Sequence, residues 1–148
     1  MENGTSFKSL MLGFAAGVLA TLTAHELIKM ALVNAEVIQR VPWNMQPAAI
    51  TGIPQIASDT LWGGVWGAIF ALVLGDVPKG SMTLRGIILG ILGPALVGVF
   101  LLVPILKGGP IFMGGDPRLI ASVLLILAGY GATTAWLYGF FTAGCRLP

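Results

Sequence analysis

The run FKSLMLGFAAGVLATLTAHELIKMALV, residues 7–33, is apolar over a length that one environment explains best. A helix needs about 20 apolar residues to cross a hydrocarbon core, and from Ser9 to Ala24 no side chain is ionisable. A membrane span is the direct reading. Its far end departs from the pattern, because His25, Glu26 and Lys29 follow within two turns. Ionisable groups at membrane depth are costly unless paired or wetted, so these three are functional candidates by default.

Three further segments of similar character lie outward from the first: about Ile56–Leu74, Leu84–Leu106 and Leu119–Ala143. Charges bracket them, with Asp59 and Asp76, Arg85 and Lys107, and Arg118 and Arg146 near their ends. No segment alternates polar and apolar in the manner of a barrel strand. The expected fold class is an all-α membrane protein, a four-helix transmembrane bundle forming one integral domain over residues 1–148.

Composition agrees. Of 148 residues, 56% are hydrophobic and 9% charged, against about 25% charged in a soluble domain. Mean hydropathy is +0.91. A scattered net charge of +2 with no basic run is no footprint for nucleic acid. The single cysteine, Cys145, can form no internal disulfide, and no Cys/His set suggests zinc. Cys145-Arg146-Leu147-Pro148 has the spacing of a lipidation box without its two middle aliphatics. Val18-Leu19-Ala20 would pass as a weak cleavage site, but the apolar run continues well beyond it. We read a retained first span.

The connections differ in kind. Asp76 to Ser81 is a short turn, which predicts that spans two and three are antiparallel neighbours. The first connection, about Asn34 to Gln55, is broken by Pro42, Pro47 and Pro54, and Trp43 and Met45 suit the headgroup region. It is expected to lie along the interface or to re-enter in part. The third, Lys107 to Pro117, is a glycine-rich turn with the apolar tip Ile111-Phe112-Met113. Lys8, Lys79, Arg85 and Arg146 fall on one side, against Arg40, Lys107 and Arg118 on the other. That excess places both termini in the cytoplasm.

A faint repeat runs through the chain. Ile56-Ala57-Ser58 returns as Ile120-Ala121-Ser122, and Trp66-Gly67-Ala68 aligns with Tyr130-Gly131-Ala132 at the same offset of 64. Gly13/Gly17 parallels Gly86/Gly90. Two tandem hairpins would produce this, related by an axis along the membrane normal. The small-residue pairs Gly13/Gly17, Gly63/Gly67, Gly86/Gly90 and Ala135/Gly139 are the expected helix-packing sites. Pro94 and Pro104 are expected to kink span three or to end it early. Trp62, Trp66, Trp136 and Tyr138 read first as packing and interfacial anchors.

Helical spacing sets Gly13, Gly17, Thr21, His25 and Lys29 on one ridge, so His25 is expected to face protein. Glu26 and Lys29 can pair across three residues. Asp59 begins span two at the same end, which yields a candidate polar intramembrane site of His25, Glu26, Lys29 and Asp59, with Arg40 near. In the plainest reading Lys29 snorkels, Glu26 pairs with it and His25 bonds a neighbouring helix. A proton-linked site would use Glu26 as the group that changes charge and His25 as relay. Metal binding by His25, Glu26 and Asp59 is hindered because adjacent helical residues diverge by about 100°. Haem would need a second histidine from another copy. No nucleophile elbow, catalytic triad or phosphate loop is present, so neither a catalytic residue nor a cofactor is expected, and a lipid-modifying site at the long loop is the best enzymatic alternative.

The strings Ala20-Thr21-Leu22-Thr23-Ala24-His25-Glu26, Val41-Pro42-Trp43-Asn44-Met45, Gly52-Ile53-Pro54-Gln55 and Trp62-Gly63-Gly64-Val65-Trp66-Gly67 carry a resemblance. The chain resembles a group of small uncharacterised four-span bacterial inner-membrane proteins, over nearly its whole length. The likeness implies fold and compartment and no particular chemistry. A second likeness is to the small multidrug resistance transporters, in which a first-span glutamate exchanges protons for cations across a dimer. Glu26 would be the counterpart, although Lys29 beside it would repel a cation, and the long first loop departs from that pattern. The expected role is a non-enzymatic accessory or structural subunit, surrounded by membrane lipid and packed in a homo-oligomer or larger membrane complex. The alternative is a dimeric proton-coupled transporter using Glu26 and His25.

Overall fold

The structure, a computed structural model, describes residues 5–76 and 78–143. Cys145 and Arg146, on which the lipidation box and one orientation charge rest, lie outside the described residues. Helix α1 runs Phe7–Asn34, α2 Gln55–Leu74, α3 Met82–Lys107 and α4 Pro117–Thr142. Each is long and apolar enough to cross a membrane, and no strand occurs among the described residues. The chain is an all-α, multi-pass membrane bundle, with helix ends within two residues of those expected.

Ordinary chemistry sets those ends. The side chains of Ser6, Ser81 and Asp116 accept from first-turn N–H groups of α1, α3 and α4. Pro54 precedes α2, and Pro117 opens α4, where a missing N–H is no loss. Gly75 and Gly108 close α2 and α3 at φ 77° and 69°. Just past α2, Asp76 Oδ1 accepts the Ser6 N–H (3.0 Å) and hydroxyl (3.2 Å), tying that end to the start of α1. The Ser9 hydroxyl and these Ser6 donors hold its carboxyl below the usual aspartate range.

Glycines bring the helices together. Gly13 faces Gly67 and Gly17 faces Gly63, so closely that a Cβ on either α1 glycine would overlap the opposing carbonyl oxygen. In the second hairpin Gly86 faces Gly131 and Gly90 faces Leu127 in the same way. The two seams are copies. A shift of 73 residues takes Gly13 and Gly17 to Gly86 and Gly90, and one of 64 takes Gly63, Gly67 and Ala71 to Leu127, Gly131 and Ala135. Ala71 meets the Gly13 position as Ala135 meets that of Gly86. Six of the seven glycines expected at packing sites lie in these two seams, and Gly139 lies instead against the Met82 side chain at the start of α3.

The copying reaches the backbone itself. A π-turn widens α1 at Thr21–His25, and a longer π stretch widens α3 at Ile91–Leu102. The 73-residue shift carries the first inside the second. Pro94 sits within the wide stretch and Pro104 at the start of the last turns, yet α3 continues to Lys107. A wider turn absorbs a residue that cannot donate, so these prolines do not end the helix.

The hairpins dock unevenly. Helices α1 and α4 pack together, whereas α2 and α3 make at most marginal backbone contact. Spans two and three are antiparallel neighbours that touch through a side chain and not along a seam, because their seams commit α2 to α1 and α3 to α4. The Trp66 side chain bridges the gap, resting on Gly93 and Gly98 of α3. On the closed side Tyr130 of α4 donates its hydroxyl to the Gly63 carbonyl, and Tyr138 donates to Gly75 at 2.8 Å. Leu61, Trp62, Val65, Leu72 and Trp136 lie exposed, the outward apolar face a bilayer requires.

Candidate functional site

The π-turn in α1 decides who faces inward. In a regular helix the ridge Gly13, Gly17, Thr21 would continue to His25. One extra residue in the turn passes that place to Glu26, which is 0% exposed, while the His25 side chain stays 17% exposed at the edge. His25 still faces protein, its ring meeting that of Tyr130 edge-on with centroids 6.5 Å apart, but its bond goes to Glu26 of the same helix and not to a neighbouring one. The Glu26 N–H bonds Thr23 instead of Leu22, and Leu22 C=O accepts the indole N–H of Trp43 at 3.1 Å.

Three donors hold the Glu26 carboxylate. Oε1 accepts from Lys29 Nζ at 2.6 Å and lies 2.8 Å from His25 Nδ1. Oε2 accepts the backbone N–H of Trp43 at 2.6 Å. An ionised carboxylate can only accept, so Nδ1 carries the proton in that bond. Lys29 Nζ stands 3.8 Å from Asp59 Oδ2, and Asp59 Oδ1 accepts from Gln55 Nε2 at 2.6 Å. The structure thus brings together His25, Glu26, Lys29 and Asp59. Arg40 is exposed and takes no part in the ion pairs of the described residues.

The long first loop folds back onto this cluster. Its return is stapled by Ala48 N–H to Ile53 C=O (2.8 Å) and Gln55 N–H to Gln46 C=O (2.8 Å). Trp43 adopts φ 46°, a left-handed conformation that a bulky side chain rarely takes. That turn aims its N–H at Glu26 and its indole at Leu22. Leu22 lies twelve residues before the end of α1, so the loop folds back roughly 18 Å along that helix.

Chemically the arrangement is a latch. A buried carboxylate is neutralised by one ammonium, oriented by an imidazole and closed by a loop N–H. No buried side-chain nitrogen or oxygen among the described residues lacks a partner. His25 Nε2 has no bond of its own, so it sits at the accessible edge of the cluster. No group of three His, Cys, Asp or Glu side chains among the described residues is arranged to hold a metal ion. The Trp43, Leu22 and Gln55 contributions escape sequence reasoning, because two of them are main-chain groups and the third a common amide.

Beyond the latch, the second hairpin is plain. The shifts that map the seams place Gly98, Val99 and Leu102 where His25, Glu26 and Lys29 stand, and Val123 where Asp59 stands. Comparison with protein-family models, with curated proteins and with solved structures gives no match, so the reading of this site rests on its geometry.

Proposed function

We propose that this chain is a non-enzymatic packing subunit of a bacterial inner membrane, with both termini cytoplasmic, working through its helix faces within a larger complex or with copies of itself. One observation carries the reading: the Glu26 carboxylate is completely buried, already neutralised by Lys29 and held by His25 and the Trp43 N–H, which leaves it no exposed oxygen for a cargo. A carrier glutamate needs an open carboxylate that trades a proton for a cation, and a neighbouring ammonium at 2.6 Å opposes both. The exposed stripe Leu61, Val65, Ile69 and Leu72 on α2 supplies a face for lipid or for partner helices.

Mild extraction from the native membrane, followed by intact-complex mass spectrometry, tests this. The expected result is a defined assembly that survives Glu26→Gln. A chain that releases protons on adding a hydrophobic cation, with release abolished by Glu26→Gln, would overturn the proposal in favour of a proton-coupled transporter.

A further inference from the structure

Near the loop end of the bundle, α1 and α4 splay apart. A groove of about 340 Å³ opens between them, walled by Leu32, Val37, Pro117, Ala121 and Leu125. Arg118 stands in its lining at the membrane-end turn of α4. The wall is apolar in effect, because its one hydroxyl, Ser122, is spent on the Arg118 carbonyl at 2.7 Å. From Pro117 to Leu125 the groove follows α4 for roughly 12 Å into the span.

Arg118 forms no ion pair among the described residues. Asp116, the nearest carboxylate in sequence, instead caps α4 by accepting the N–H groups of Arg118 (2.9 Å) and Leu119 (3.4 Å). The helix terminus is thereby satisfied by its own cap, and the free positive group is the guanidinium. A planar cation in the lining of an apolar slot, at the start of a helix long enough to cross a membrane, matches one ligand chemistry: a phosphate with a hydrocarbon tail. The same position in the other hairpin is Pro54, which offers no cation.

We propose that the α1–α4 groove is a binding site for an anionic phospholipid, its acyl chain lying along Ala121 and Leu125 and its phosphate on Arg118. This site is separate from the Glu26 latch and stands whether or not the chain is a packing subunit.

The test is native mass spectrometry of the full chain released from nanodiscs of equal parts phosphatidylglycerol and phosphatidylcholine. Wild type is expected to retain one phosphatidylglycerol with about a fivefold preference, the weight of one basic side chain at an anionic surface. Arg118→Gln should erase the preference and Arg118→Lys keep most of it. Ala121→Phe, which fills the groove from an exposed position, should remove the retained lipid of either kind. Lys79→Gln, at the opposite end of the bundle, should behave as wild type. Equal retention of the two lipids by wild type, or an undiminished preference in Arg118→Gln, would overturn the proposal. So would a polypeptide seated in the groove that must be stripped off before lipid binds.

Discussion

At the scale of single residues, Glu26 shows how a membrane protein keeps a full charge where charge is costly. Its carboxylate is completely buried, and three donors converge on two oxygens. Removing one partner of such a pair is worse than removing both, because the survivor is left buried and unneutralised. Lys29→Met should therefore destabilise the fold by about 3–5 kcal/mol. The double variant Lys29→Met with Glu26→Leu should recover most of that loss, since apolar groups fill the space without a stranded charge. Thermal unfolding in detergent micelles would show it, and a double variant as unstable as Lys29→Met alone would refute this account. Sequence spacing was sufficient to join Glu26 to Lys29 and to bring Asp59 to the same end. It could not supply Trp43, whose part depends on a left-handed turn seventeen residues away and on a main-chain N–H that any residue type possesses.

At the scale of an element, the π-turn of α1 is the feature that sequence periodicity misreads. A 3.6-residue repeat carries Gly13, Gly17 and Thr21 on to His25, and nothing in the residues Thr21 to His25 announces a wider turn. The structure passes the inward place to Glu26, and this has a direct consequence. Deleting Ala24 restores a regular helix and leaves Glu26 in phase with Thr21, four residues on. The seam and the ion pair would persist, and the loss should be roughly 1 kcal/mol, that of the Trp43 indole bond to the Leu22 carbonyl. Deleting Ala15 removes a residue between Gly13 and Gly17, turns the rest of α1 by about 100° and takes Gly17 out of the seam. That variant should fail to fold. Equal damage from the two deletions would show that the π-turn itself, and not its phase, is required. Glycine seams, by contrast, were legible, because a four-residue spacing of small residues means close approach wherever burial from water cannot drive association. Legibility stopped at pairing. The short Asp76–Ser81 turn points to α2 beside α3, but turn length fixes only direction, and the seams had already committed both helices elsewhere.

At the scale of the whole molecule, the chain is two hairpins closed by similar seams, of which one carries the polar latch. Both hairpins keep the glycine seam and the widened odd helix, while the polar latch exists only in the first. The two connections differ as well. The first connection must be held across residues 35–54 and is pinned through Trp43; the third is short and is settled by Phe112 stacking on Phe100, centroids 5.3 Å apart. If each hairpin closes its own seam, then residues 1–76 and 78–143 should each insert and pair internally when expressed as separate chains. Recombination would then depend on the α1–α4 face and on two cross-hairpin hydrogen bonds, Tyr130 to Gly63 and Tyr138 to Gly75. Co-expressed halves carrying different tags should co-purify. Tyr130→Phe should weaken that association by about 1 kcal/mol, the worth of one interhelical hydrogen bond in a membrane, and leave each half intact. Halves that never meet would mean that the Asp76–Ser81 turn does more than join two finished units.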